Sequence, residues 1–470
     1  MARLAALLTL ALAACGPAHP TPAAPPPPPP LSAADTALAA QLDTAAQAVL
    51  AARPYAGLSV AVLRHGTVIF ARGYGQADRA AKTPAAADTI YRYASISKSF
   101  TAAAILELAR QGKLAIDDPV TRYVPDTETH GKTITLRQLL GHTSGIKDYT
   151  EIDAFVKHMA EPMSRAALVD LFDAEPLNFE PGSRWSYSNS GYYLLGLVIE
   201  KVTGEPYADA VKRLVITPAG LPDTAYCPQT MTGAREARPY RTVDGALTDA
   251  TAIDMAHPYA AGSLCGTAPD LVHWLDALAN HRGVDAGLWP QMITPVTLTD
   301  GTHFNYGMGL QVSQWKGHRR VGHNGGINGF GSQMDDYPDD DLVIAAIDND
   351  ESSLATEVAE RLARVALAIP EDKLLDLPIS AADGPRYVGT FDFPEAQIKL
   401  AIRFENGVLE AGNLDPQGQV GRWLRLRSQG ERVFEIPEVQ ARLTFVVEGD
   451  RATALDVEQS AATLHGTRVP

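Results

Sequence analysis

The 470-residue sequence is poor in cysteine and in aromatic residues, and it has no long apolar run. With only three cysteines it cannot carry the disulfide framework of a small secreted domain. Its 12 histidines show neither the H-E-x-x-H pattern nor paired-ligand spacing, so the sequence predicts no metal and no cofactor. No stretch reaches the roughly 20 apolar residues of a membrane-spanning helix. The formal net charge of -15 gives no support to a nucleic-acid partner.

A shorter apolar run stands at the N-terminus. Residues 4–14 follow Arg3 and end at Cys15, in a pattern that resembles a bacterial lipoprotein signal with its lipidated cysteine. A simple secretory signal is the alternative, but it leaves Cys15 without a role. The sequence therefore predicts a signal peptide over residues 1–15, lipidation of Cys15 and a location in the bacterial cell envelope, facing the periplasm. The lipid anchor would be the only attachment to a membrane.

The next segment, residues 16–33, contains six consecutive prolines and cannot build a core. It is typical of a stiff polyproline tether, which would reach on the order of 50 Å at about 3 Å per residue. A ligand for an SH3-type domain is the alternative interpretation. Outside the cytoplasm of a bacterium a spacer explains the prolines better.

The tetrapeptide S-x-x-K occurs three times, beginning at Ser95, Ser144 and Ser313. After Ser95 comes a strong helix pattern that ends at Gly112, so Ser95 is expected in the first turn of a buried helix with Lys98 one turn further on. Ser144 lies in a polar loop and Ser313 in an alternating, strand-like run. Only the first copy is expected to place its lysine beneath its serine, where a desolvated lysine can act as a base.

A second motif, Tyr187-Ser188-Asn189, contains the only one of 16 tyrosines that is followed two residues later by asparagine. A hydroxyl held between ammonium or imidazole groups could titrate below its ordinary value near 10 and carry a proton to a leaving amine. We therefore interpret Tyr187 as an acid and base, and Asn189 as a group that orients Lys98 and the substrate. The alternative is an ordinary turn after the sequence E-P-G-S at 180–183.

The third motif is His323-Asn324-Gly325, within a strand-like stretch where glycine lets a substrate backbone approach closely. A competing His-Arg-Gly at 281–283 lies in a polar loop. Near its ordinary pKa of about 6.5, His323 could lose its charge in the working range, hold a substrate carboxylate or tune the tyrosine of the second motif. Both His323 and Gly325 are therefore expected to contact substrate.

An oxyanion hole is also required, because the charge that develops on an acyl oxygen needs preorganised donors. We assign it to the backbone N–H groups of Ser95 and Gly326.

These motifs together resemble the serine β-lactamase and penicillin-binding-protein superfamily. The likeness is closest to the class C-related group of D-alanyl-D-alanine carboxypeptidases, D-aminopeptidases and esterases. It extends over about residues 34–370 and includes T-I-T-L-R-Q-L-L-G-H-T-S-G-I at 133–146 and F-E-P-G-S-R-W at 179–185.

The resemblance implies that Ser95 is the acylated nucleophile, Lys98 its partner, Tyr187 the acid and base, Asn189 a substrate contact and His323 the third-motif residue. Class C β-lactamases have K-T-G at the third motif, whereas this chain contains no K-x-G. A histidine there resembles the carboxypeptidase and D-aminopeptidase branches and weakens the expectation of efficient β-lactam turnover.

The expected function is therefore a serine hydrolase that cleaves an amide or ester through an acyl-enzyme, acting on a D-amino-acid peptide. Its partner would be a small molecule or peptide, including one derived from peptidoglycan. An esterase or weak β-lactamase of the same superfamily is one alternative, and a noncatalytic cell-wall binder or sensor is another. A binder has no need for a nucleophile with its base, which favours the enzyme.

The pattern of elements predicts an α+β fold. An antiparallel sheet built from both ends of the domain is expected to be flanked by helices, with an all-helical region inserted between the two sets of strands. A linker over residues 371–384 would lead to a second domain over residues 385–470. There, seven short strand patterns separated by turns predict a small closed barrel, which resembles the lipocalin-like appendage of some hydrolases of this group.

Two cysteines remain once Cys15 is set aside. Cys227 and Cys265 could form a disulfide in an oxidising compartment, or they could be two buried thiols. The sequence leaves both interpretations open.

Overall fold

The structure is a computed structural model that describes residues 30–469, apart from residues 244–245, 353, 371–373, 395, 397, 416, 440 and 460–461. The expected signal peptide, the lipidation of Cys15 and most of the Pro-rich tether lie outside the described residues. Within those ranges, no helix combines the length and the apolar character needed to cross a membrane.

The α-helices of the described part of the chain follow in sequence order. They are α1 (Ala33–Leu50), α2 (Ser97–Arg110), α3 (Leu136–Leu140), α4 (Asp153–His158), α5 (Arg165–Asp173), α6 (Asn189–Thr203), α7 (Tyr207–Val211), α8 (Tyr259–Gly262), α9 (Ala268–Ala279), α10 (Leu288–Met292) and α11 (Leu354–Ala366). Most lie between the two groups of main-sheet strands, in the predicted helical insertion. That insertion is not all-helical as expected, because it also carries short strands that pair in small sheets of two or three strands.

The strands of the first domain likewise follow in sequence order. They are β1 (Gly57–Arg64), β2 (Thr67–Asp78), β3 (Thr83–Pro84), β4 (Tyr91–Arg92), β5 (Ala225–Tyr226), β6 (Tyr240–Val243), β7 (Ala246–Asp249), β8 (Leu264–Gly266), β9 (Val296–Thr297), β10 (His303–Phe304), β11 (Gln311–Trp315), β12 (His318–Ile327), β13 (Phe330–Tyr337) and β14 (Leu342–Asp348).

The main sheet is antiparallel, with strand order β11-β12-β13-β14-β1-β2-β3. Strands from the two ends of the domain meet where β1 pairs with β14. Along β1, Leu58, Val60 and Val62 pack in the core with α1 and α11, while Ala61 and Leu63 belong to the core on the opposite face. Alternate side chains of a strand point to opposite faces, so a strand with apolar residues at successive positions is covered on both sides. The predicted α+β fold is confirmed.

Helix α2 runs through the centre of the larger core. Its Ala- and Leu-rich sequence favours a helix, and most of its side chains are buried, including Phe100 and Leu108. Gly112 follows with a φ of +69°, a conformation that glycine adopts at helix ends without steric cost. A short 3-10 turn, Ala94–Ile96, leads directly into α2 and carries Ser95.

One local expectation differs from the structure. The strand-like run that contains Ser313, expected over residues 306–315, begins only at Gln311, because Gly307 and Gly309 draw the preceding segment into close contacts instead. A Cβ on Gly307 would lie 1.9 Å from the carbonyl oxygen of Met292. As a result Tyr306 lies beside the third motif in an isolated β-bridge with Gln311 and not in a regular strand.

A closed barrel follows, formed by eight strands where the sequence predicted seven. They are β15 (Gly389–Phe393), β16 (Ile398–Glu405), β17 (Val408–Asn413), β18 (Leu424–Gly430), β19 (Val433–Ile436), β20 (Ala441–Glu448), β21 (Arg451–Gln459) and β22 (Ala462–Val469). The missed strand, β22, pairs with β15 and closes the barrel, which removes the exposed edges of the sheet. In the preceding linker, the N–H of Leu377 donates to the carbonyl oxygen of Ser428.

Candidate active site

The candidate nucleophile Ser95 is presented by the 3-10 turn ahead of α2. It is partly exposed, whereas Ala94, Ile96 and Ser97 around it are buried. Ala94 has a φ of +50°, a conformation that costs an alanine roughly 1 kcal/mol or more. The turn therefore brings a single hydroxyl to the surface of an otherwise closed core.

Directly behind Ser95 lies Lys98, whose side chain is 0% exposed. Its Nζ lies 3.1 Å from Oγ of Ser95, 2.7 Å from Oδ1 of Asn189 and 2.8 Å from the carbonyl oxygen of Ala261. The last two oxygens can only accept, so they take two N–H bonds in either protonation state. The remaining position on the nitrogen faces Ser95, as a lone pair when the lysine is neutral and as an N–H when it is charged.

Burial lowers the pKa of Lys98 from its ordinary value to about 7, while the carboxylate of Asp148 acts in the opposite direction. A charged amine loses more hydration than a neutral one when it is enclosed. Near neutral pH a substantial fraction of Lys98 is therefore the free amine that can accept the proton of Ser95.

Asn189 is held in one orientation by Asp148. The carboxylate accepts from the backbone N–H of Asn189 at 3.1 Å and from its Nδ2 at 2.9 Å. Since a carboxylate only accepts, the amide nitrogen must face Asp148 and the amide oxygen must face Lys98. No spacing in the sequence pointed to Asp148, which lies between the first and second motifs.

The ring of Tyr187 lies between Lys98 and His142. Nζ of Lys98 is 4.8 Å from the centroid of its ring, and the ring of His142 is 4.3 Å away, centroid to centroid. Burial raises the pKa of Tyr187 above its ordinary value, while a hydrogen bond with Ser95 opposes that rise. The expectation that this hydroxyl titrates below its ordinary pKa is wrong, because burial disfavours the charged phenolate.

His323 is buried in β12, with an exposed fraction of 1%. Its Nε2 lies 3.1 Å from the hydroxyl oxygen of Tyr306, and its Nδ1 contacts the carbonyl oxygen of Asn324. Burial, reinforced by the charge of Lys98, lowers the pKa of His323 to about 3. The expectation that this ring changes charge in the working range is therefore wrong: it is neutral there.

Two further residues of this region, His142 and Tyr306, were not predicted from the sequence. Nε2 of His142 lies 3.2 Å from the hydroxyl oxygen of Tyr306, and its Nδ1 lies 3.1 Å from the backbone nitrogen of Ser188. Burial holds the pKa of His142 well below its usual range, with a further contribution from Lys98. His142 stands in the H-T-S-G stretch that supported the family resemblance, and that was the only available signal.

Gly325 lies close to the nucleophile. A Cβ at this position would lie 2.4 Å from the carbonyl oxygen of Tyr93, 2.4 Å from Oγ of Ser332 and 3.0 Å from the backbone nitrogen of Ser95. Gly326 follows it in β12, and a Cβ there would meet no atom within 4 Å. The strand therefore runs beside the N–H of Ser95, and the assignment of the oxyanion hole to Ser95 and Gly326 stays a prediction.

The remaining candidates lie elsewhere. Cys227 and Cys265 are both buried free thiols in one small apolar cluster. Ser313 lies in β11. Among the residues that the structure describes, no group of three or more His, Cys, Asp and Glu side chains is arranged to hold a metal ion.

Comparisons with known proteins agree on one family. A family model described as Beta-lactamase matches residues 42–368. The chain is similar to penicillin-binding protein 4* of Bacillus subtilis, with 29% identity over 352 residues that cover 69% of this chain and 77% of that protein. It is also similar to a D-aminopeptidase of Brucella canis, with 26% identity over 362 residues. The match covers 75% of this chain and 66% of that relative. Among solved structures it resembles a D-stereospecific amidohydrolase from Streptomyces, with 27% identity, a TM-score of 0.60, and coverage of 71% of this chain and 99% of that one.

Proposed function

Because the chain belongs to the β-lactamase family, we propose that this serine hydrolase cleaves amide bonds of D-amino-acid peptides or amides through an acyl-enzyme on Ser95. The observation that carries the mechanism is the placement of Lys98. Two carbonyl oxygens occupy two of its N–H groups, and its remaining position faces Oγ of Ser95 at 3.1 Å. A buried lysine with this geometry is a base for one particular hydroxyl.

In the acylation step, Oγ of Ser95 attacks the carbonyl carbon of the substrate as its proton passes to the free amine of Lys98. The carbon–nitrogen bond then breaks, and the leaving nitrogen takes a proton from the hydroxyl of Tyr187, which the ammonium of Lys98 replaces. Because the pKa of Tyr187 is raised, this residue acts as a donor and not as the resting base. Water then attacks the ester in the same way and restores Ser95.

The proposed substrate class is inferred from the relatives to which the chain is similar. The named relatives include a D-aminopeptidase and a D-stereospecific amidohydrolase, and both names describe hydrolysis with a preference for D-configured substrates. The Bacillus relative is named as a penicillin-binding protein, which fits slow reaction of the same serine with a β-lactam. Of the catalytic chemistries open to this family, hydrolysis of D-amino-acid amides fits these relatives best.

We also propose that the enzyme works in the bacterial cell envelope. The support is the apolar segment ending at Cys15 and the Pro-rich tether after it, which together would hold the hydrolase at a distance from a membrane. Cys15→Ser should move the protein from the membrane fraction to the soluble fraction. Sedimentation of the variant with membranes, as for the unmodified chain, would contradict the anchor.

The catalytic proposal is tested with enantiomeric pairs. Purified protein is incubated with the p-nitroanilides of D-alanine and L-alanine, with a short-chain nitrophenyl ester and with a chromogenic cephalosporin. We expect release of nitroaniline from the D-enantiomer at a higher kcat/KM than from the L-enantiomer, slower turnover of the cephalosporin, and an acyl adduct on Ser95 by mass spectrometry. An adduct on another serine, or a preference for the L-enantiomer, would overturn the proposal.

A further inference from the structure

A chain of hydrogen bonds joins His142, Tyr306 and His323 beneath the third motif. The links are Ser188 N to His142 Nδ1 at 3.1 Å, His142 Nε2 to Tyr306 Oη at 3.2 Å and Tyr306 Oη to His323 Nε2 at 3.1 Å. His323 Nδ1 then contacts the carbonyl oxygen of Asn324. Each of the three central side chains is buried, with an exposed fraction of 1%.

The groups at the two ends of this hydrogen-bond series determine which atom donates in each bond. A backbone N–H can only donate, so Nδ1 of His142 must be an acceptor and its proton must sit on Nε2, from which it bonds to the hydroxyl oxygen of Tyr306. That hydroxyl then donates to Nε2 of His323. At the far end a carbonyl can only accept, so the proton of His323 sits on Nδ1. All groups are satisfied with both imidazoles neutral.

A neutral His323 in this arrangement has neither a charge nor a free ring nitrogen to offer. One nitrogen accepts from Tyr306 and the other donates to a backbone carbonyl. A second proton on the ring would break the bond from Tyr306 and place a cation near Lys98, inside a site that gives it no counter-ion among its contacts.

The groups that face the ring of His323 come from several elements, and none of them supplies a negative charge. Lys98 of α2 is a cation or an amine, while Tyr187, Tyr306 and His142 are uncharged and packed as an aromatic cluster. On the neighbouring strand β13 the register partner of His323 is the apolar Met334. No carboxylate appears among these neighbours to draw a proton onto His323.

We propose that His142 and Tyr306 are positioning residues that determine specificity: they hold His323 as a neutral, fully bonded ring, so that the third motif offers no cation to a carboxylate on the leaving side of the substrate. The enzyme then prefers substrates whose leaving group is uncharged, such as an amide, an anilide or a peptide with a blocked C-terminus. This inference rests on the proposed function and names the substrate feature that the same site selects.

The test compares D-alanyl-D-alanine with its C-terminal amide. The two differ only at the C-terminus of the leaving group, which is a charged carboxylate in the first and an uncharged amide in the second. For the unmodified enzyme we expect kcat/KM to be about tenfold or more higher for the amide, the factor that one missing charge-assisted hydrogen bond is worth. Tyr306→Phe removes the donor to Nε2 of His323, so that ring can take a second proton in mildly acidic solution. We expect the preference for the amide to fall in this variant, and to fall further below pH 6.

His142→Gln is the conservative control. The amide oxygen of glutamine can accept from the N–H of Ser188 and its nitrogen can donate to Tyr306, so each hydrogen bond of the series keeps its donor and its acceptor. We expect this variant to retain the preference of the unmodified enzyme. A merely structural role would lower both kcat/KM values together and leave their ratio unchanged in Tyr306→Phe, and that result would overturn the proposal.

A second measurement needs no turnover. Nitrogen chemical shifts of the histidine rings, followed from pH 8 to pH 4.5, should show His323 neutral with its proton on Nδ1 throughout, and titrating within that range in Tyr306→Phe. An imidazolium signal for His323 at pH 6 in the unmodified protein would overturn the inference even if neither dipeptide is cleaved. The absence of an acyl adduct on Ser95, with these titrations as expected, would overturn the proposed function alone.

Discussion

Residues 95–98 and residues 144–147 share the spacing S-x-x-K, yet they lie in opposite environments. Ser95 is partly exposed and Lys98 is 0% exposed, while Ser144 is 2% exposed and the side chain of Lys147 is 23% exposed. In the first segment the hydroxyl is accessible and the amine is enclosed. In the second the hydroxyl is enclosed and the amine is accessible.

Backbone conformation causes this inversion. The first segment enters α2, so the lysine returns beneath the serine after one turn. In the second, Gly145 has a φ of +81°, and a Cβ there would lie 2.3 Å from the carbonyl oxygen of Phe179, so the loop turns away from a helical path. Lys147 then forms a surface ion pair with Glu151. The comparison shows that the S-x-x-K spacing alone does not enclose the lysine: Lys98 is fully buried and Lys147 is not.

The largest expected effect comes from the two serines. Ser95→Ala should lower kcat/KM by at least on the order of 10³-fold, because it removes the hydroxyl that lies 3.1 Å from Nζ of Lys98. Ser144→Ala, the matched control, should leave activity within about threefold of the unmodified enzyme, since its buried hydroxyl accepts from the N–H of Ile146 within its own loop. The measurement is initial-rate kinetics together with labelling by a fluorophosphonate. Labelling of Ser144 in Ser95→Ala would erase the distinction between the segments.

The lysines give the next largest difference. Lys98→Met keeps the volume of the side chain but removes the base, and we expect a loss of about 10² to 10⁴-fold in the acylation rate. Lys147→Met should change that rate little, because it removes only a surface ion pair worth less than about 1 kcal/mol. Single-turnover kinetics with a nitrophenyl ester measures both. Equal losses in the two variants would mean that burial is not what activates Lys98.

Stability should depend on pH through Lys98 and not through Lys147. Because the pKa of Lys98 is about 7 in the folded chain and near 10.5 when unfolded, the unfolded chain binds the extra proton between these values. The free energy of unfolding should therefore rise with pH across this window, by up to about 1.4 kcal/mol per pH unit from this residue. Urea unfolding from pH 7 to pH 10 checks the slope. It should flatten in Lys98→Met and persist in Lys147→Met.

The smallest expected effect concerns Asp148, which follows Lys147 in sequence but acts on the pKa of Lys98. Its carboxylate raises the pKa of Lys98, so Asp148→Asn should lower that pKa and move the acidic limb of kcat/KM to lower pH by about one unit. Glu151→Gln, which removes the charge paired with Lys147, is the control and should leave the limb in place. A shift in the control and none in Asp148→Asn would assign the limb to another group.

Much of this arrangement could be predicted from the sequence. Helix α2 and the two sets of strands have patterns that agree with their tertiary surroundings, so the α+β fold and the buried helix after Ser95 followed from local rules. Ser95 itself was expected in the first turn of that helix but lies in the 3-10 turn ahead of it. The eighth barrel strand was missed because Ala462–Val469 mixes small, polar and charged residues and closes the barrel by pairing with a strand 75 to 79 residues earlier, as in Thr390 with Val469 and Asp392 with Thr467. Closure of a barrel is a long-range property that no single strand carries in its pattern.

The electrostatics of the site could not be predicted. Tyr187 was expected to titrate below its ordinary value near 10, and His323 near its ordinary value of about 6.5. In the folded chain they meet His142 and Tyr306, which lie far from them in sequence and are themselves neutral. The direction of a pKa shift depends on which uncharged groups surround a side chain, and that information exists only after folding.

The close approach of Gly325 to Tyr93 and Ser95 limits how this enzyme can evolve. Any side chain at position 325 would collide with the backbone that carries the nucleophile, and β12 cannot retreat alone because it is paired with β11 and β13 on either side. Position 325 must therefore stay a glycine in every descendant that keeps the sheet. New substrate preferences must arise from substitutions at other positions around the site.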